Sequence, residues 1–226
     1  MMKVIDNELI EVHKLELDVA NTGHITNCYV IKDKQTSKVC VIDPAYDEQA
    51  IKRMIHYING KLDLAIVTHC HADHVAALAK LVENIDVKVY VHKLDYEGLY
   101  DKQLNAEQIV GVKVLPVDKQ KVIIVQEKDK IIFGNTKLEV IHTPGHTKGS
   151  ITLLDEKNNI LYSGDTIFEN SYGRTDLING SHEEMRESLD KLFNRFEDIQ
   201  VFSGHGEDFN LKNSKRKIRL LFAYKG

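Results

Sequence analysis

The chain has 226 residues, 42% of them hydrophobic and 28% charged, with a formal net charge of -4. That length suits a single compact domain over residues 1–226, and the hydrophobic share is enough for a sizeable core. The acidic balance argues against a nucleic-acid binder, and no stretch approaches the roughly 18 apolar residues of a membrane span.

The chain opens with β-rich stretches. Residues 28–32 and 38–43 read as neighbouring strands joined by the polar turn 33–37. A helix is expected from Glu48 to Asn59, stopped by Gly60. Residues 62–68 read as a short buried strand and 76–83 as a helix, with Asp73 near its start. Residues 87–91 form the next strand. Residues 93–118 carry no clear period and read as an irregular or weakly helical segment, suited to a lid over a site. Strands follow near 121–125, 130–133, 136–142, 150–154 and 160–163. Ser181-His-Glu-Glu184 is a capping box, and its helix should run to Phe196. Residues 199–203 are a last strand before the C-terminal tail. Strands followed by helices recur in two similar halves. That order predicts an α/β fold of two sheets packed face to face, with helices outside.

Thr68-His-Cys-His-Ala-Asp-His74 follows a buried strand and opens a helix. His69, His71, Asp73 and His74 are donors suited to zinc, iron or manganese, and their density makes this a strong metal motif. Three more candidates share one local setting. They are His146 in Thr143-Pro-Gly-His-Thr147, Asp165 in Ser163-Gly-Asp-Thr166 and His205 in Ser203-Gly-His-Gly206. Each follows a strand and stands beside a glycine, which lets the backbone turn sharply next to a ligand. Seven donors suit two divalent ions better than one. His69, His71 and His146 can hold one ion and Asp73, His74 and His205 the other, with Asp165 between them. Each ion then keeps an open position, as catalytic sites do. Asp73 and Asp165 are the candidate catalytic carboxylates. Cys70 stands between His69 and His71, and adjacent side chains in an extended segment point oppositely, so it is expected to pack.

The remaining candidates are weaker. Asp43 either holds a ligand histidine or ends a strand before Pro44. Arg174 and Asp176 suit an ion pair on a pocket wall, and Tyr172 is expected to pack. His24 reads as an exposed turn residue near the site mouth, and His142 as packed. His13, His56, His92 and His182 have no partner pattern. The basic run Lys212–Arg219 reads as a solvated face. Acids at Asp6 and Glu8 leave no signal peptide at the N-terminus. Cys28, Cys40 and Cys70 are too few and scattered for a disulfide framework, so a cytoplasmic location is expected.

His69-Cys-His-Ala-Asp-His74, with His146, Asp165 and His205 in their loops, resembles the metallo-β-lactamase superfamily. The similarity runs from Thr26 to Gly206. Within it, Thr26-Asn-Cys-Tyr29, Val41-Ile-Asp-Pro44, His142-Thr-Pro-Gly-His146, Ser163-Gly-Asp165 and Gly173-Arg-Thr-Asp176 are similar to the glyoxalase II-like, or hydroxyacylglutathione hydrolase-like, enzymes. The resemblance implies an αββα sandwich with metals at one edge, and thioester hydrolysis. Two departures stand out. Ala45 follows Pro44 where family members commonly have glycine. The C-terminal helical domain that holds glutathione in full-length glyoxalase II has no counterpart after His205, so the chain resembles the shorter single-domain subgroup.

The expected function is therefore a metal-dependent hydrolase acting on a small-molecule acyl thioester, with hydroxide between two ions, zinc first and iron or manganese as alternatives. Rival readings are a one-iron persulfide dioxygenase, a lactone or phosphodiester hydrolase on the same scaffold, and a non-enzymatic metal-binding module with closed coordination.

Overall fold

The computed structural model describes residues 2–223. In chain order the first half contains β1 (Met2–Asp6), β2 (Ile10–Asp18), β3 (Ile25–Asp33), β4 (Lys38–Ile42), α1 (Glu48–Tyr57), β5 (Lys61–Ile66), α2 (Ala72–Val75), α3 (Leu78–Val82), β6 (Lys88–His92), α4 (Glu107–Val110) and β7 (Val122–Val125). The second half contains β8 (Lys130–Phe133), β9 (Thr136–His142), β10 (Ile151–Asp155), β11 (Ile160–Gly164), β12 (Ile167–Phe168), β13 (Ser171–Tyr172), α5 (His182–Arg195), β14 (Gln200–Ser203), β15 (Phe209–Asn210) and α6 (Leu211–Ala223).

Strands β1 to β7 form one sheet in sequence order, and the other sheet runs β15-β14-β11-β10-β9-β8. Period-two patterning explains how both faces of a strand are covered. On β4, Cys40 and Ile42 enter the core between the sheets, whereas Val39 and Val41 face α1. On β11, Ile160 and Tyr162 face the first sheet, and Leu161 faces the helices behind the second. Behind the first sheet, α1 buries Ile51 and Met54; behind the second, α5 buries Met185, Leu189, Leu192 and Phe193. The result is the expected αββα sandwich of two mixed sheets.

Several expectations shift in detail. The helix expected over 76–83 begins earlier and breaks in two, so Asp73 and His74 lie inside α2. Residues 93–118 are irregular with short helical turns, as expected, and pack against the His69–His74 segment: Leu99 and Val117 are buried, and the carbonyl of Asn105 accepts from Ala72 N at 2.8 Å. The basic tail lies on a helix, α6, whose Leu211, Ser214 and Ile218 are buried at helical spacing. The capping box holds, with Ser181 Oγ accepting from Glu184 N at 3.3 Å. No helix among the described residues is long and apolar enough to cross a membrane.

Candidate metal centre

Topology decides where the candidate ligands meet. Strands β4, β5, β6 and β7 run parallel in the first sheet, and β11 and β14 run parallel in the second. Strand β9 shares the direction of β11, because both pair antiparallel with β10. The C-terminal ends of β4, β5, β9, β11 and β14 therefore open at one edge, and these carry Asp43, the Thr68–His74 run, His146, Asp165 and His205. Ligand-bearing loops outside the carboxyl ends of parallel strands are a general property of such sheets. Two cross-sheet bonds stitch the edge: Ile151 N donates to Thr68 O at 2.9 Å and Asn27 N to Gly204 O at 2.7 Å.

All seven candidates come together. Donor atoms of His69, His71 and His146 lie within 4.8 Å of one another, with His71 Nδ1 2.8 Å from His146 Nε2. On the other side, His74 Nε2 stands 3.3 Å from His205 Nε2 and 3.4 Å from Asp73 Oδ2. Asp165 touches both groups. Its Oδ1 is 3.3 Å from His74 Nε2, and its Oδ2 is 3.3 Å from His205 Nε2 and 3.5 Å from His146 Nε2. Gly204 permits this approach: a Cβ there would overlap Asp165 Oδ1 and stand 2.7 Å from His74 Cε1.

The hydrogen bonds behind the cluster orient the rings. His74 Nδ1 donates to Asp43 Oδ2 at 3.0 Å, His146 Nδ1 to the Arg174 carbonyl at 2.7 Å, and His205 Nδ1 to the Ile25 carbonyl at 2.6 Å. Thr68 Oγ1 gives its proton to Asp43 Oδ2 at 2.6 Å, so it accepts from His69 Nδ1 at 3.1 Å. In each of these four rings Nδ1 is engaged outward, which turns Nε2 toward the cluster. Such anchoring is how proteins set the tautomer of metal-binding histidines. Asp43 thus holds the site rather than merely ending β4. It does so from a left-handed backbone, φ +50°, which L-residues rarely adopt.

The site fits divalent ions on two observations. The donors are imidazoles and carboxylates, which suit zinc, iron and manganese. In addition, His69 Nε2 and Asp165 Oδ1 are buried without a hydrogen-bond partner among the described residues. Buried polar atoms are nearly always paired, so two orphans in one cluster need an explanation, and a cation supplies one.

Electrostatics divide the cluster. Burial and the neighbouring imidazoles of His74 and His146 hold His69 well below the usual histidine range. Burial, reinforced by His146, takes His71 down to about 3. Both rings are neutral at physiological pH. Burial also opposes charge on His74 and His205, but the carboxylates of Asp73 and Asp165 outweigh it. His74 rises well above the usual range and His205 to about 10. Conversely, burial disfavours the charges on Asp73 and Asp165, and the facing imidazoles reverse this and keep both acids far below the usual carboxylate range.

Other candidates fall into place around the cluster. Cys70 is buried, its sulfur 3.6 Å from Leu104 O, and packs as expected. His142 stacks on His92 at 4.1 Å, away from the cluster. Arg174 and Asp176 form the expected pair at 2.7 and 2.8 Å. Tyr172 is partly buried against the α5 cluster. His24 sits at the mouth with Nε2 3.0 Å from Asp73 Oδ2.

Two supports were not singled out from the sequence. Asp95 accepts from Cys70 N at 2.9 Å, Thr147 Oγ1 at 2.7 Å and Gly149 N at 2.7 Å, clamping the His69–His71 loop to the His146 loop. Burial pushes its carboxyl above the usual aspartate range despite these bonds. Lys14, buried within β2, donates to Gly206 O at 2.8 Å and holds the His205 loop together with Asn27 and Tyr29, which both bond Ser203 O. A lysine inside an otherwise apolar alternation was the available signal.

The comparisons agree with this geometry. The family model for the metallo-beta-lactamase superfamily matches residues 21–205. The chain is 34% identical over 186 residues to the probable metallo-hydrolase YqgX of Bacillus subtilis, covering 80% of this chain and 84% of that one. It is 26% identical over 196 residues to the hydroxyacylglutathione hydrolase GloC of Haemophilus influenzae, covering 86% and 92%. Among solved structures, the B3 metallo-beta-lactamase BLEG-1 superposes with a TM-score of 0.81 at 27% identity, covering 89% of this chain and 95% of that one. The protein TTHA1623, crystallised in a di-iron-bound form, superposes with a TM-score of 0.80 at 26% identity, covering 92% and 99%. Matching over most of its length, and with the fold, the chain belongs to the metallo-beta-lactamase superfamily of metallo-hydrolases.

Proposed function

We propose that the protein is a two-ion hydrolase that cleaves an acyl thioester, with His69, His71 and His146 holding one divalent ion, Asp73, His74 and His205 the other, and Asp165 shared. The observation that carries this reading is the position of Asp165, whose oxygens stand 3.3 to 3.5 Å from ring nitrogens of both groups. Bound ions would supply a nucleophile at neutral pH and polarise the carbonyl to be attacked. Asp43, Thr68 and the Arg174 and Ile25 carbonyls hold the rings so that their Nε2 atoms need no rearrangement. Asp73 and Asp165 stay ionised throughout the physiological range.

Thioesters suit this site because a thiolate leaves without a strong general acid, its conjugate acid having a pKa of about 8.5. The GloC name of one relative points to the same bond. A cavity of about 600 Å³, walled by Tyr172, Gly173, Arg174, Asp176 and Leu221, lies behind the His146 ring, whose Nδ1 bonds the Arg174 carbonyl. Gly173 brings this wall against the site, since a Cβ there would stand 3.1 Å from His146 Nδ1.

The test combines metal analysis with a substrate panel on protein loaded with zinc, iron or manganese. Thiol release from a hydroxyacyl glutathione thioester or an acyl coenzyme A thioester, with two ions bound, is the expected result. One iron per chain with oxygen uptake on glutathione persulfide, and no thioester cleavage, would overturn it. Cleavage of a lactone, a phosphodiester or a β-lactam alone would keep the site and reject the substrate.

A further inference from the structure

Asp73 has more imidazole around it than the proposed ligand set uses. Its Oδ2 lies 3.4 Å from His74 Nε2, 3.2 Å from His205 Nε2 and 3.0 Å from His24 Nε2. Ligand atoms about 2.1 Å from a shared ion stand roughly 3.0–3.4 Å apart at octahedral or tetrahedral angles. The His24 spacing is such an edge, as much as the other two. The His24 and His205 rings are 4.9 Å apart, and the donor atoms of His24, Asp73 and His205 all fit within 4.8 Å.

We infer that His24 is a ligand of the second ion, an additional protein donor beside Asp73, His74 and His205. The inference rests on the two-ion reading above. Hydrogen bonding to Asp73 alone does not require this histidine, because Thr26 Oγ1 already donates to the same oxygen at 3.1 Å. The local backbone serves the placement. Val19 N donates to His24 O at 2.9 Å, and Gly23, at φ +80°, turns the chain so that residue 24 faces α2 rather than continuing away. His24 also differs from the other donors in being about half exposed, with 51% of its side-chain surface accessible, whereas His74 is fully buried. It therefore sits on the solvent side of the second ion as a ligand that can dissociate. It fills that ion's remaining position at rest and yields it when a substrate atom arrives.

Nitrogen NMR of protein labelled with [15N]histidine decides this without an activity readout. Spectra are recorded at two equivalents of zinc, with the His24, His74 and His205 resonances assigned by single substitutions to alanine. The expected result is that Nε2 of all three rings carries no proton and shows the shift of a metal-bound nitrogen. A protonated His24 Nε2 beside metal-bound His74 and His205 overturns this inference alone and leaves the two-ion reading standing. No metal-bound nitrogen at any of the three overturns both. A chelator competition gives the second readout: His24→Ala should weaken the second zinc by about tenfold or more and leave the first unchanged. Unchanged affinity at both positions rejects the ligand role.

Discussion

Asp95 offers the most searching test of how the site is held. It is 3% exposed and accepts three hydrogen bonds from two ligand-bearing loops, at 2.7 to 2.9 Å. Asp95→Ala leaves the main-chain N–H groups of Cys70 and Gly149 without an acceptor, while the Thr147 hydroxyl keeps Ser150 Oγ at 2.7 Å. An orphaned buried donor costs about 1–3 kcal/mol, so two cost about 2–6 kcal/mol. Removing a buried carboxylate whose burial is itself unfavourable recovers part of this. The expected loss is therefore about 3 kcal/mol, a large share of the 5–15 kcal/mol typical of a domain. Urea unfolding of the metal-free protein measures it, and zinc affinity by chelator competition should fall by about 10- to 100-fold at the same time. Asp95→Asn keeps one acceptor oxygen and should lose roughly half as much stability. The pH dependence has a defined sign. Because burial holds the folded-state pKa above the ordinary aspartate value of 3.8, the folded protein binds this proton more tightly than the unfolded chain. Wild type should gain stability relative to Asp95→Asn as pH falls through that raised pKa toward 3.8, and the difference should be flat above it. A stability change below about 0.5 kcal/mol for Asp95→Ala, the range of ordinary surface substitutions, would refute the clamp.

Four further outcomes follow from the same geometry. Gly204→Ala places a methyl against Asp165 Oδ1 and His74, so metal analysis should show the second ion lost and the first retained. Asp43→Asn disturbs the acceptor shared by Thr68 and His74, and isothermal titration should show zinc affinity reduced by about 10- to 100-fold. His69→Ala should abolish turnover with an unchanged far-ultraviolet circular dichroism spectrum, and should shrink the rise in Tm that zinc produces. Lys14→Met leaves Asp208 without the cation 3.4 Å away and frees the Gly206 carbonyl, so thermal unfolding should show a loss of about 3–5 kcal/mol.

Legibility in the sequence followed the range of the interactions. Strands β4, β9 and β11 were readable because their apolar runs end at turn residues, and α5 because its serine cap lies within its own first turn. Strand β2 escaped a separate assignment because Lys14 interrupts its pattern, and that lysine is buried only because the His205 loop arrives from the far end of the chain. Helix α6 was hidden by its charge: its lysines and arginines read as a tail, although Leu211, Ser214 and Ile218 mark one face. The break between α2 and α3 was also unreadable, since Ala77 N bonds Pro44 O and Ala45 O, partners supplied by the loop after β4.

The residues that cluster could be named from sequence alone. Histidine and aspartate beside glycine at strand ends is a local pattern, and local patterns survive without coordinates. Their partners could not be named in that way. His74 meets Asp43 across 31 residues and His205 meets the Ile25 carbonyl across 180, while Asp95 reaches back to Cys70 and forward to Gly149. Hydrogen bonds of that span depend on how two sheets register at one edge. Tertiary structure therefore decided which nitrogen of each anchored ring faces the cluster, that Asp165 stands between two groups, and that His24 reaches Asp73.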